Sequence, residues 1–95
     1  MSLHNTKKWK HKTQVVKRRD GYECRECRKY GRSVDGVLVH HVYPADDYPD
    51  LFYNTNNLIT LCYSCHELMH DRSLKSITEL GKQWQRKLEN EIFRK

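Results

Sequence analysis

Two C-x-x-C pairs constrain this chain more than any other feature in it. Cys24-Arg-Glu-Cys27 and Cys62-Tyr-Ser-Cys65 are separated by 34 residues. Each spacing lets one tight turn offer two thiolates to the same tetrahedral ion, so the pairs together predict a structural zinc held by Cys24, Cys27, Cys62 and Cys65. The competing use of four cysteines is a disulfide framework, which belongs to secreted chains with irregular spacings. The opening "MSLHNTKKWK" has no apolar stretch to serve as a signal peptide. Size argues the same way. A chain of 95 residues, 37% hydrophobic and 32% charged, is expected to form one small α+β domain over residues 1–95. Such a domain buries only about 60–65% of the surface its unfolded chain exposes, and it gains from a metal staple.

Charge is spread unevenly. The formal net charge is +6, yet residues 1–32 carry eleven Lys and Arg against Asp20, Glu23 and Glu26, while residues 33–95 carry seven against nine acidic residues. A basic patch at one end is the electrostatic footprint of a phosphate-backbone binder, with Lys8, Lys10, Lys12, Lys17, Arg18 and Arg19 as the candidates for DNA contact. A solvated lysine-rich face is the bland alternative. No apolar run approaches the ~20 residues of a membrane span, so no membrane partner is expected and the chain should be soluble and intracellular.

Pattern places the elements. "KKWKHKTQVVKRRDGYEC" predicts a basic helix over about 7–20, with Trp9, Val15 and Val16 facing the core and Asp20-Gly21 ending it. The first cysteine pair follows as a knuckle. "GVLVHH" and "LITLC" read as two short strands, and the connection "YPADDYPDLFYNTNN" between them, with two prolines, as irregular. "YSCHELMHD" reads as a short helix capped by Ser64. A C-terminal packing helix over about 76–93 carries Ile77, Leu80, Trp84, Leu88 and Ile92 on one stripe, with Ser76-Ile77-Thr78-Glu79 spaced as a capping box. Gly81 within it costs about 1 kcal/mol relative to Ala.

Four of the six histidines fall in two tight groups. His66 and His70, four apart, would share one face of a helix and reach a single ion, although the same spacing also suits solvated polar residues. His40 and His41 are adjacent on a strand, where successive side chains point to opposite faces. If His40 turns toward the helix it becomes a third ligand. His41 then points away, positioned as a general base for water attacking whatever the ion polarises.

The segments "RDGYECRECRKYGR", "LVHHVYP" and "NNLITLCYSCHELMHD" resemble, in order and spacing, the HNH family of nucleases, over residues 18–71. The resemblance implies a zinc-stapled ββα-metal, treble-clef-like fold with flanking N- and C-terminal helices. It implies a metal-dependent endonuclease that hydrolyses DNA phosphodiester bonds, a monomer nicking one strand and a double-strand cut needing a second visit or a partner copy, as in a dimer. His41 would be the catalytic base, and His40, His66 and His70 the ligands of a divalent Mg²⁺, Mn²⁺, Ni²⁺ or Zn²⁺. Asn57, before "LITLC", would tie loop to strand and hold the base, with Asn54 and Asn56 as nearby competitors. Leu38 stands where some members carry an acidic residue that positions an arginine, so a transition-state arginine would come from Arg18 or Arg19. The expected partner is DNA, contacted through its backbone with low sequence specificity, in the cytoplasm of a bacterial or phage-infected cell. Two other classes fit the same residues: a non-catalytic zinc-stapled DNA-binding module, and an adaptor for phage terminase or packaging proteins.

Overall fold

The computed structural model describes residues 3–71, 73, 74 and 76–94. Helix α1, Lys7–Arg19, is capped by Thr6, whose hydroxyl accepts from the Trp9 N–H at 3.1 Å. It buries Trp9 and Val16, which lie two turns apart on one face. Val15, expected beside them, is instead exposed, because neighbours on a helix point about 100° apart and Val16 takes the inward position. The helix stops as expected at Gly21, whose φ of +65° turns the chain so that the Tyr22 N–H reaches the Lys17 carbonyl at 2.8 Å.

The first knuckle follows. Cys24 caps α2, Arg25–Arg28, with its sulfur accepting from the Cys27 N–H at 3.4 Å. Strands β1, Leu38–His41, and β2, Leu58–Leu61, then pair antiparallel, with His40 opposite Ile59 and His41 opposite Leu58. All four residues of β2 are buried, because both of its faces are covered. On one side Ile59 and Leu61 meet Cys24, Cys27, Met69 and Trp84; on the other, Leu58 meets Trp9, Val16 and Phe52. The connection between the strands is more regular than its prolines suggest. It forms two 3₁₀ turns, Pro49–Leu51 and Thr55–Asn57, and drops Phe52 into the core between them.

The second half departs from expectation in three places. Helix α3, Tyr63–Glu67, begins after Cys62, which makes no side-chain capping bond, and Ser64 sits inside its first turn rather than capping it. The chain leaves the helix at Leu68, so His70 is not on it but in strand β3, His70–Asp71. Ser76 makes no cap either. It lies in β4, Ser76–Ile77, where it pairs with Asp71, and Thr78 caps the C-terminal helix α4, Glu79–Phe93, by accepting from the Gly81 N–H at 3.2 Å. Trp84, Leu88 and Ile92 of α4 are buried as the stripe predicts. Gly81 has a packing reason. A Cβ there would lie 2.4 Å from Ile77 Cγ2 and 2.8 Å from the Met69 carbonyl oxygen.

Candidate active site

The sulfur atoms of Cys24, Cys27, Cys62 and Cys65 all lie within 4.8 Å of one another. Cys27 Sγ is 3.9 Å from Cys62 Sγ and 3.7 Å from Cys65 Sγ. A disulfide would need about 2.05 Å, whereas an ion held tetrahedrally at about 2.3 Å sets its sulfurs about 3.8 Å apart. The donor set therefore fits a structural metal. Burial pushes the Cys27 and Cys65 thiols up, whereas at Cys62 burial is outweighed by hydrogen bonds from Cys65 and the other thiols, which draw it down.

The strand alternation divides the two adjacent histidines as their sequence spacing predicts. His40 turns to the α3 side and is 4% exposed. Its ring centroid lies 5.2 Å from that of His66 and 5.4 Å from that of His70, and the latter two are 6.3 Å apart. Leaving the helix has not separated His70 from its partners, because β3 brings its ring beside that of His40. Burial first, and then the charges of His66, His70 and His41, push the His40 pKa down to about 3. A neutral imidazole is the form that coordinates a metal; the three rings meet edge to face, while among the described residues the thiol cluster alone has its ligand atoms gathered within 4.8 Å of one another.

His41 faces α1. Its ring stacks on Trp9, with centroids 5.0 Å apart and planes 16° from parallel, and rests against Phe52 at 4.8 Å. His41 Nε2 lies 3.1 Å from the Phe52 carbonyl oxygen. A carbonyl can only accept, so Nε2 carries the proton and the neutral ring keeps a lone pair on Nδ1. Burial draws the His41 pKa down, the Phe52 carbonyl opposes this, and the charge of His4 adds to it.

Asn57 anchors the loop next to that carbonyl, through Leu51. Fully buried, it accepts from the Tyr43 N–H at 2.8 Å and donates to the Tyr43 and Leu51 carbonyls at 3.1 and 3.4 Å. The end of β1 is thereby tied to the loop segment that carries Phe52. Its neighbours do other work: Asn54 caps the Thr55–Asn57 turn, and Asn56 donates to the Glu91 carbonyl. His40, His41, His66 and His70 all line one cavity of about 410 Å³.

Of the basic candidates, Lys10 and Arg18 are exposed on α1, Lys12 and Lys17 are half-exposed, and Lys8 stands 4.1 Å above the Tyr53 ring. Arg19 differs from expectation. Its guanidinium binds both oxygens of Asp20, the Thr55 carbonyl at 2.7 Å and the Leu58 carbonyl at 2.5 Å, so its donors are engaged by the fold although the side chain stays 37% exposed. Sequence reasoning missed His4 and Phe52 at this site. His4 lines the cavity and Phe52 supplies the carbonyl, and no local spacing marks either.

A model of the HNH endonuclease family matches residues 24–72, more than half of the chain. Among solved structures, the chain is similar to the HNH endonuclease of the deep-sea thermophilic bacteriophage GVE2, crystallised with manganese ion. The TM-score is 0.66 at 26% identity, over 68% of this chain and 71% of that one. The comparison with curated proteins gave no match. The matched segment opens at the first cysteine of the thiol cluster and closes just beyond His70, and the mixed helix-and-strand fold agrees. The chain belongs to the HNH endonuclease family and is a nuclease.

Proposed function

We propose that the protein hydrolyses DNA phosphodiester bonds one strand at a time, with His41 activating the attacking water and His40, His66 and His70 holding a divalent ion. The observation that carries this reading is the split of His40 and His41 to opposite faces of β1 while both line one cavity. When bound, the ion supplies Lewis-acid stabilisation of charge on the phosphate and on the leaving 3′-oxygen. His41 Nδ1 takes the proton of the water whose oxygen bonds to phosphorus. The bond from phosphorus to the 3′-oxygen breaks and the departing alkoxide takes a proton from solvent, leaving a 5′-phosphate and a 3′-hydroxyl. The Phe52 carbonyl holds the base in the tautomer this needs, and Asn57 holds the loop that carries Phe52. Lys8, Lys10, Lys12, Lys17 and Arg18 contact the duplex backbone without reading bases. One such site cuts one strand, so a double-strand break needs a second event or a second copy.

Plasmid nicking with Mg²⁺, Mn²⁺, Ni²⁺ or Zn²⁺ tests this. His41→Ala should slow cleavage by roughly 10²–10⁴, the usual worth of a general base, at every metal concentration and with metal affinity retained. His40→Ala should lose metal affinity and recover activity as metal concentration rises. If calorimetry shows that His41→Ala abolishes ion binding while His40→Ala leaves it intact, the two roles are reversed. Unchanged nicking by both variants would remove this cavity from the chemistry.

A further inference from the structure

The cavity that gathers the four site histidines has a fifth at its edge. His4, in the 3₁₀ turn Leu3–Asn5 ahead of α1, lines it together with His40, His41, His66 and His70. Its ring stands edge-on to that of His41, centroids 5.7 Å apart and planes at 85°, and packs against Trp9 at 5.0 Å and Phe52 at 5.2 Å. Among the described residues, no lysine or arginine lines this cavity.

That second fact gives the first its meaning. Phosphoryl displacement spreads negative charge over the non-bridging oxygens, and nucleases need donors aimed at it besides any cation. On the reading above, three of the five imidazoles hold the ion and one is the base. Among the described residues that line the cavity, His4 is the remaining side chain with N–H donor capacity, since an imidazole keeps at least one N–H in either protonation state. The reach is right. A water activated by His41 lies about 3 Å from its nitrogen, with phosphorus about 3–3.5 Å beyond, so the reacting phosphorus stands about 6–6.5 Å from that nitrogen, a distance close to the 5.7 Å between the two ring centroids.

We propose that His4 donates a hydrogen bond to a non-bridging oxygen of the scissile phosphate, making it a further catalytic residue. This inference rests on the proposed function, and it adds a residue outside the segment 24–72 that the family accounts for. The N-terminal turn would then be part of the active site rather than a lead-in to α1.

The test uses the full chain, a short labelled duplex and saturating Mn²⁺, with His4→Phe, His4→Gln and His41→Ala compared against wild type. His4→Phe keeps a ring against Trp9 and Phe52 but removes the N–H, and thermal unfolding should confirm an intact fold. Its kcat should fall about 10- to 100-fold with KM nearly unchanged, the pattern of an interaction made only in the transition state. His4→Gln restores a donor and should recover part of the loss. Wild-type kcat in His4→Phe overturns the proposal, as does a rise in KM with kcat unchanged, or a His4→Gln variant as slow as His4→Phe. If His41→Ala is slow while His4→Phe is normal, only the role of His4 fails. If both cleave like wild type, the active site itself lies elsewhere.

Discussion

Asp20 is the residue on which the polar contacts at the end of α1 converge. Its buried carboxylate takes two hydrogen bonds from Arg19 and one from the Thr60 N–H, tying α1 to the central strand. Burial pushes its carboxyl up, but the hydrogen bond and charge of Arg19, with the Thr60 contacts, outweigh this and hold it below the ordinary carboxylate range. A depressed carboxylate contributes stability that is fully present above its unfolded pKa of about 3.9 and is lost as pH falls through the folded value. Asp20→Asn should therefore cost about 1–3 kcal/mol in urea unfolding near neutral pH, the usual penalty for breaking a buried polar contact, and the gap to wild type should narrow as pH falls below the ordinary carboxylate range. A gap that stays constant with pH would show that charge is not what Asp20 contributes. At this scale the sequence was partly legible. Asp20-Gly21 reads as a helix stop, and His40-His41 as two directions, because both depend on neighbours in the chain. Arg19 and His4 were not legible, since their partners at Leu58 and His41 are brought to them only by the fold.

The turn from α3 through β3 and β4 into α4 shows how periodicity can give the right partners by the wrong route. His66 and His70 have helical spacing, but the helix ends after Glu67, and the two-residue pairing of His70–Asp71 with Ser76–Ile77 returns His70 to the cavity. The apolar stripe of α4 was legible from Leu80 onward. Its start was not, because Ser76 and Thr78 both suit a cap and only strand pairing decides between them. Gly81 is where this turn meets α4. Gly81→Ala gains about 1 kcal/mol in helix propensity, yet the new methyl falls on Ile77 and on the Met69 carbonyl, which is backbone and cannot swing aside. Overpacking of this kind costs about 1–3 kcal/mol, so net destabilisation is expected in thermal unfolding. The strain falls next to His70, and the variant should also need more metal for half-maximal nicking. A variant more stable than wild type would mean that the turn yields freely.

In the whole molecule, the core on the thiol side of the sheet is built around Cys24, Cys27 and Cys65. A strong chelator should therefore unfold the domain rather than merely inactivate it, and elemental analysis of the purified protein should find tightly held zinc. Full thermal stability without zinc would contradict this. The cysteine spacing made the thiol cluster legible from the outset, whereas the second core, around Trp9, Val16, Phe52 and Leu58, was not, because Phe52 comes from a loop that its prolines mark as irregular. The basic charge lies on the helix that covers this second core. Replacing Lys8, Lys10 and Lys12 together with Gln should weaken duplex binding alike for all sequences and flatten its salt dependence by about one unit of slope per lost phosphate contact. An unchanged slope would move the interface off α1.

The stack of Trp9 on His41 gives the molecule an optical gauge of its own. The second tryptophan, Trp84, is held on the far side of the sheet with its indole donating to Glu26 at 2.8 Å. Emission from Trp9 depends on the ring pressed against it, so events in the cavity become visible as changes in intrinsic fluorescence over a steadier background from Trp84. Occupancy of the cavity can be followed in real time with unlabelled protein, before any strand is cut.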